Sequence, residues 1–171
     1  MDNVLVAYAT VYGSTGEVAK AIAEALCEGG TTADARPARD VRSLTGCTAV
    51  VLGGPLYYFR WHRDANRFLA RHRAALEALP VAIFALGPFN DVPEEFDGAR
   101  DQLDKALAKQ SWLSPVSVRV FGGRFDPALL RFPHKVPGLQ KMPANDIRDW
   151  DAIRAWGAEL AESLRSTTEE A

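Results

Sequence analysis

The sequence has little of several things on which common protein chemistry depends. Its 171 residues include only two cysteines, Cys27 and Cys47, and no Cys-x-x-Cys pair, which argues against a disulfide scaffold or a thioredoxin-type site. The three histidines, His62, His72 and His134, lack metal-ligand spacing. The net charge of −2 gives no general argument for nucleic acid binding. We therefore expect reduced thiols, no metal and no nucleic acid partner.

Three well-known signatures are also missing. The chain has no Gly-Lys-Ser/Thr of a Walker loop, no GxGxxG dinucleotide fingerprint and no GxSxG nucleophile elbow. The apolar run after Met1-Asp2-Asn3 is too short for a signal peptide or a membrane span, so we expect a cytoplasmic protein. Positive charge is concentrated over 60–73 and 119–141. Such segments are usually solvated surface, but they can also mark a site for an anionic partner.

What the sequence does have is a regular alternation of apolar runs and helical segments. Five strands are predicted, at Val4–Ala9, near 32–37, and at Thr48–Gly53, Val81–Leu86 and Val116–Phe121. Four helices lie between or after them, over 15–28, 62–78, 95–109 and 150–165, with Asp149 as the N-cap of the last. This alternation predicts an α/β fold with a parallel, doubly wound sheet. We expect one domain over 1–165 and a frayed tail over 166–171.

A long segment, 125–149, breaks this rhythm between the fifth strand and the last helix. Connections in such folds are usually about 2–6 residues, so this insertion indicates an ordered excursion over the surface. It carries four prolines and an apolar set, Leu129, Leu130, Phe132, Val136, Leu139 and Met142. We favour packing of this set in the core, with a homodimer contact or peripheral membrane association as open alternatives.

Ligands of open α/β sheets bind at the carboxyl ends of the strands, where three loops stand out. The first, Thr10–Gly16, has hydroxyl side chains and glycines directly before a helix, which suits an anion bound by neutral donors because it contains no Lys or Arg. Its alternative reading is a capping box between Ser14 and Glu17. The second loop has four aromatics at 57–61, of which we assign Trp61 to the core. In the third loop, 86–91, Gly87 would let the backbone approach a ligand closely. The alternative interpretation of this loop is an ordinary Gly-Pro turn.

With these loops the sequence resembles the flavodoxin family, whose phosphate loop has the form [ST]-x-T-G-x-T after the first strand. Thr10, Gly13, Ser14 and Thr15 match that form by position, whereas Tyr12 stands where a hydroxyl residue is usual. The resemblance implies strand order 2-1-3-4-5, FMN as cofactor, an aromatic side chain against the flavin, and backbone groups near Gly87 at its pyrimidine edge. The implied FMN-binding residues are Thr10, Tyr12, Gly13, Ser14, Thr15, Pro55, Leu56, Tyr57, Tyr58, Leu86, Gly87, Pro88 and Phe89.

Within that family the chain most resembles the flavodoxin-type, menaquinone-dependent protoporphyrinogen dehydrogenases. The matching positions are Tyr58, His62, Phe68, His72 and Pro80. Those enzymes also carry an insertion before the last helix, although this chain's version is shorter and different. The resemblance implies a quinone- or porphyrinogen-type small molecule or a redox partner, and anionic propionates would suit five cations, Arg60, Arg63, Arg124, Arg131 and Lys135.

Three hypotheses follow. The first is an FMN-dependent oxidoreductase, favoured by positive charge at Arg60, Arg63 and Arg67 that would stabilise a reduced, anionic flavin. The second is a one-electron shuttle without its own substrate, and the third is a non-enzymatic interaction protein that kept the fold. No catalytic residue is required by the sequence. His62 is a candidate proton handler, although a surface histidine is more often a bystander.

Overall fold

A central sheet of five parallel strands organises the chain. In a computed structural model that describes residues 2–57 and 60–169, with side chains to residue 165, the strands pair in the order β2-β1-β3-β4-β5. Their bounds are β1 (Asn3–Tyr8), β2 (Thr32–Pro37), β3 (Ala49–Tyr57), β4 (Val81–Leu86) and β5 (Ser117–Phe121). All four pairings between these strands are parallel. The predicted α/β fold and strand order are therefore confirmed.

Four long helices cover the two faces of this sheet. They are α1 (Ser14–Glu28), α2 (Arg63–Leu76), α3 (Pro93–Ala108) and α4 (Trp150–Glu169). Val4 and Val6 of β1 join the apolar cluster formed with α1 and α4, whereas Leu5 and Ala7 join the cluster formed with α2 and α3. Because β1 is buried on both faces, its sequence is a continuous apolar run rather than an alternating one.

The element boundaries differ from the predicted ones in informative ways. β3 runs on to Tyr57, because Gly54 and Pro55 still pair with β4 and because the two-residue strand Arg60–Trp61 turns back against the end of β3. Asp149 caps α4 as predicted, since its Oδ1 accepts the Ala152 N–H at 3.0 Å. That helix runs to Glu169, into the segment for which we expected fraying. Among the described helices none is long and apolar enough to cross a membrane.

The insertion leaves the central sheet after β5 and folds back on itself as a separate, two-stranded antiparallel ladder. Arg124–Phe125 pairs with Asn145–Asp146, and the chain between them forms two short helical turns, Pro127–Leu129 and Pro137–Gln140. Core packing of its apolar set is wrong for four members, which are 41–95% exposed: Leu129, Phe132, Val136 and Met142. The reason is that the ladder forms a sheet of its own, so that among the described residues these four side chains join neither core cluster.

Candidate functional site

The loop after β1 presents the start of α1 without a side-chain cap. Gly13 takes the left-handed conformation, with φ of 91°, directly before the first helical residue. Its N–H donates to Thr10 Oγ1 at 2.8 Å, so that hydroxyl closes the turn and caps no first-turn N–H. The capping box between Ser14 and Glu17 does not form, because Gly13 is the N-cap residue and has no side chain. The first-turn N–H groups of α1 are thereby suited to an anion.

Thr15 provides a second, independent sign of a ligand at this helix start. The residue is completely buried, and its Oγ1 has no hydrogen-bond partner among the residues that the structure describes. A buried hydroxyl without a partner costs about 1–3 kcal/mol, so native proteins rarely leave one unless a ligand or water satisfies it. A bound oxyanion at the first turn of α1 would supply the missing acceptor.

A cavity of about 500 Å³ opens beside this loop, at the carboxyl ends of the strands. Its size is that of a small-molecule or cofactor site. All three loops singled out in the sequence contribute to its lining, through Tyr12, Ser14, Leu56, Tyr57, Gly87, Pro88 and Phe89. Of the other predicted residues, Thr10 and Gly13 shape the first loop, Thr15, Pro55 and Leu86 are buried beside it, and Tyr58 lies outside the described residues.

The insertion forms the opposite wall of the cavity, which the sequence did not predict. Leu129, Leu130 and Leu139 line it, together with His134. His134 Nδ1 lies 2.8 Å from Tyr12 Oη, and its ring is stacked on that of Tyr57, with ring centroids 5.9 Å apart and an interplanar angle of 19°. Nothing in the local sequence of His134 signals this position, because it depends on the path of the whole insertion.

The aromatic residues after β3 divide between cavity and core. Tyr57 faces the cavity, and burial raises the pKa of its phenol to about 12, so the ring is neutral over the physiological range. Trp61 is 3% exposed and donates from Nε1 to the Gly54 carbonyl at 3.1 Å, which confirms its assignment to the core. His62 caps α2, since its Nδ1 accepts the Asp64 N–H at 3.1 Å, and burial lowers its pKa. His62 is thus a structural cap and lies outside the cavity lining.

The loop after β4 is held from both sides by hydrogen bonds. Glu95 accepts the N–H groups of Phe89 and Asn90 at 3.1 and 3.0 Å and the Asn90 side-chain amide at 2.6 Å. The bond from the Asn90 side chain, followed by the backbone bonds, lowers the pKa of Glu95. On the other side, Gly123 N–H donates to the Pro88 carbonyl at 2.7 Å. Two N–H groups of the loop that the family resemblance assigned to a flavin edge are therefore occupied by a carboxylate of this chain. Sequence reasoning missed Glu95 because it follows the loop, in the first turn of α3.

An arginine reaches the helix start from the insertion, although the loop itself contains no cation. Arg148 Nη1 donates to the Ser14 carbonyl at 3.3 Å and also to the Glu17 carboxylate. Its side chain is only 4% exposed, and its other nitrogens bind Asp146. The hydrogen bond with Asp146 is the main reason that the pKa of Arg148 is raised. A cation thus lies beside the loop, and binding of the anion by the loop's own neutral donors stays a prediction.

Comparison with known proteins places these features in a family. The model of the Flavodoxin domain family matches residues 5–137. The chain belongs to the flavodoxin family. No curated protein matches at a significant level. This match does not identify the protoporphyrinogen dehydrogenase subgroup, so membership of that subgroup stays a prediction.

Solved structures share the fold at low sequence identity. A flavodoxin from the domain Archaea has a TM-score of 0.60 at 13% identity, over 95% of this chain and 99% of that one. A point mutant of the flavodoxin from Pseudomonas aeruginosa gives 0.60 at 17%, over 95% and 99%. The Flv1 flavodiiron core from Synechocystis sp. PCC6803 gives 0.62 at 17%, over 97% of this chain but only 36% of that longer one. These similarities establish the fold.

FMN is the cofactor of the flavodoxin family, and the residues present here fit it. The uncapped start of α1 and the unpartnered hydroxyl of Thr15 suit its phosphate. Tyr57 offers a neutral ring at a cavity of suitable volume. Tyr12, the one departure from the family's loop, makes hydrogen-bonding contact with His134 of the insertion instead. The arrangement thus combines loops that fit the family's cofactor with a wall formed by the insertion.

Proposed function

We propose that the chain is an FMN-dependent oxidoreductase with a substrate of its own, bound beneath the insertion. The observation that carries the proposal is the second wall of the cavity, where Leu130, His134 and Leu139 enclose space over the loops after β1 and β3. A protein that only shuttles electrons needs an accessible flavin edge for its partner. An apolar wall that excludes water instead favours a small organic substrate.

Each part of the site has a role in this proposal. The Thr10–Thr15 loop would bind the FMN phosphate, Tyr57 would pack against the flavin ring, and Gly87 and Pro88 would border it. When bound, FMN supplies the acceptance or release of a hydride or of single electrons. The insertion would orient the substrate and keep water out of the cavity. No acid or base from the chain is needed for the electron transfer itself.

An anionic substrate of the porphyrinogen type is the specific form of this proposal that the charges favour. Of the five cations considered for it, Arg124 lines the cavity, while Arg60, Arg63, Arg131 and Lys135 are exposed and outside its lining. Arg124 is 3.9 Å from Glu17 and 3.8 Å from Asp126, so part of its charge is already balanced. The test is turnover of a porphyrinogen by the FMN-loaded protein, compared with an Arg124→Gln variant.

Binding and reduction of FMN test the broader proposal. The purified protein should quench FMN fluorescence in a titration with micromolar affinity or better. Absence of binding would favour the third hypothesis, a non-enzymatic protein with the flavodoxin fold. Anaerobic reduction of the loaded protein, followed by absorbance, then separates the other two. A single two-electron step supports an enzyme, whereas two resolved one-electron steps support a shuttle.

We also propose that the tip of the insertion contacts an anionic membrane surface. Phe132 is 95% exposed, and two further apolar residues of the insertion, Val136 and Met142, are 42% and 45% exposed. Three cations, Arg131, Lys135 and Lys141, accompany them, and residues 127–144 contain no acidic residue. An exposed aromatic flanked by cations suits the interface of a bilayer with anionic headgroups.

A further inference from the structure

An acidic residue stands in the first turn of the helix that would hold the FMN phosphate. Glu17 belongs to that turn of α1, with a side chain that is 50% exposed. A carboxylate there interacts favourably with the helix dipole when the site is empty. It would also repel a phosphate dianion bound at the same helix start, because the two groups have the same sign. The loop itself contains no cation that could offset this repulsion.

Two arginines that follow β5 in the chain, Arg124 and Arg148, contact this carboxylate. Arg148 Nη1 donates to Glu17 Oε2, and Arg124 Nη1 lies 3.9 Å from Glu17 Oε1. Arg148 is fixed in place because Asp146 binds its Nε at 2.9 Å and its Nη2 at 2.7 Å, and because its guanidinium lies over the Trp150 ring, 4.7 Å from the centroid. A guanidinium held this firmly, with a side chain only 4% exposed, keeps its charge beside the helix start.

We infer that Arg148 is a positioning residue for phosphate recognition: it neutralises Glu17 and fixes the Ser14 carbonyl, so that the start of α1 accepts a phosphate dianion. The inference rests on the proposed binding of FMN by this loop. It is supported independently by the buried, unpartnered Thr15 hydroxyl in the same turn. It assigns to the segment after β5 a role in selecting a phosphorylated flavin over an unphosphorylated one.

The test compares FMN with riboflavin, which lacks the phosphate. We expect the wild-type protein to bind FMN more tightly than riboflavin. In Arg148→Met the exposed charge of Glu17 should reduce that preference about tenfold, mainly through the affinity for FMN. Glu17→Gln in the Arg148→Met background should restore part of the preference, because it removes one of the two carboxylates, Glu17 and Asp146, that lose their hydrogen bonds from Arg148. Arg148→Lys should retain part of it.

Matched variants separate this role from a purely structural one. Arg119→Met removes an exposed ion pair with Glu159, 2.9 Å long, that lies away from the loop, and should leave the preference unchanged. Equal losses of FMN and riboflavin affinity in Arg148→Met, without restoration by Glu17→Gln, would overturn the inference. If Arg148→Met does not fold, the Glu17→Gln variant alone tests the inference. It should preserve or increase the preference for FMN over riboflavin. A decrease would contradict the inference.

The same titrations distinguish this inference from the proposed function. A wild-type protein that binds neither flavin contradicts the proposed function and the inference together. A wild-type protein that binds FMN, with a preference over riboflavin that Arg148→Met leaves intact, contradicts only the inference. Competition by inorganic phosphate provides a readout without flavin chemistry: the inhibition constant of phosphate, corrected for the FMN affinity of each protein, should be lower for the wild type than for Arg148→Met.

Discussion

His134 Nδ1 lies 2.8 Å from the phenol oxygen of Tyr12, a contact between residues 122 positions apart in sequence. It joins the insertion to the loop that precedes α1. Tyr12 is also the position at which the loop departs from the usual flavodoxin form. The tyrosine at this position therefore has a structural role, since its side chain reaches His134 and helps to hold the insertion over the cavity.

A double-mutant cycle on this pair should show energetic coupling. We expect Tyr12→Phe and His134→Ala each to lower the free energy of unfolding of the FMN-free protein. The coupling energy should be about 0.5–1.5 kcal/mol, the net value of a typical hydrogen bond. Urea unfolding of the four proteins measures it. Additive effects would mean that the contact contributes nothing to stability.

Tyr57 should matter for flavin affinity more than for folding. Removal of its ring in Tyr57→Ala should weaken FMN binding about 2- to 12-fold beyond the loss of buried area, as expected for one aromatic stacking partner. Tyr57→Phe should bind within about twofold of the wild type, because the ring is kept. Fluorescence titration gives both affinities.

The neighbouring Trp61 is the control for this prediction. Its Nε1 donates to the Gly54 carbonyl inside the core, so Trp61→Phe should lower the free energy of unfolding and leave the FMN affinity nearly unchanged. If Tyr57→Ala binds FMN as tightly as the wild type, Tyr57 does not contact the flavin. If Trp61→Phe loses affinity without loss of stability, Trp61 belongs to the site instead.

The fold could be predicted because its evidence is local. Strands buried on both faces leave continuous apolar runs, such as Val81–Leu86, and the intervening helices leave periodic ones. The three cavity loops could be located because parallel strands bring their carboxyl ends to one edge.

The rest of the site depends on contacts that sequence spacing does not encode. His134 and Arg148 reach the loop only through the path of the insertion, and no pattern around either residue indicates it. The capping box of Ser14 and Glu17 has the right spacing but fails, because Gly13 occupies the N-cap position and Glu17 pairs with arginines. Glu17 thus forms ion pairs with arginines distant in sequence in place of the local capping box.

Low pH should lower the free energy of unfolding by protonating Glu95, whose carboxylate holds the loop after β4. Hydrogen bonds from Asn90 and Phe89 lower the pKa of this carboxyl in the folded protein relative to its ordinary value of 4.5. A lowered folded pKa stabilises the protein above the unfolded pKa, and that stability is lost as the pH falls below about 4.5. The difference in unfolding free energy between the wild type and Glu95→Gln should therefore shrink in acid. Glu94→Gln, an exposed neighbour, should show no such change, and an equal change would contradict the assignment.

Two glycine substitutions should have opposite effects. Gly13→Ala forces a β-carbon into a left-handed conformation, with φ of 91°, and should cost about 1–2 kcal/mol of unfolding free energy. Gly98 lies within α3, and a β-carbon there would meet no atom within 4 Å. Gly98→Ala should therefore stabilise the protein by about 0.5–1 kcal/mol through helix propensity. Thermal unfolding of both variants checks the signs, and a stable Gly13→Ala would contradict the loop geometry.

Membrane association should depend on Phe132. Cosedimentation with phosphatidylglycerol vesicles should exceed that with phosphatidylcholine vesicles and should fall with added salt, because the insertion tip carries cations. Phe132→Ser should reduce the partition coefficient about tenfold, since it removes an aromatic ring from the interface. Val116→Ser is the control, because Val116 is 55% exposed just before β5, at the opposite end of that strand from the insertion. Equal binding by Phe132→Ser and the wild type would contradict the proposal. A loss of dimers, rather than of vesicle binding, in Phe132→Ser would assign the same surface to a second copy of the chain.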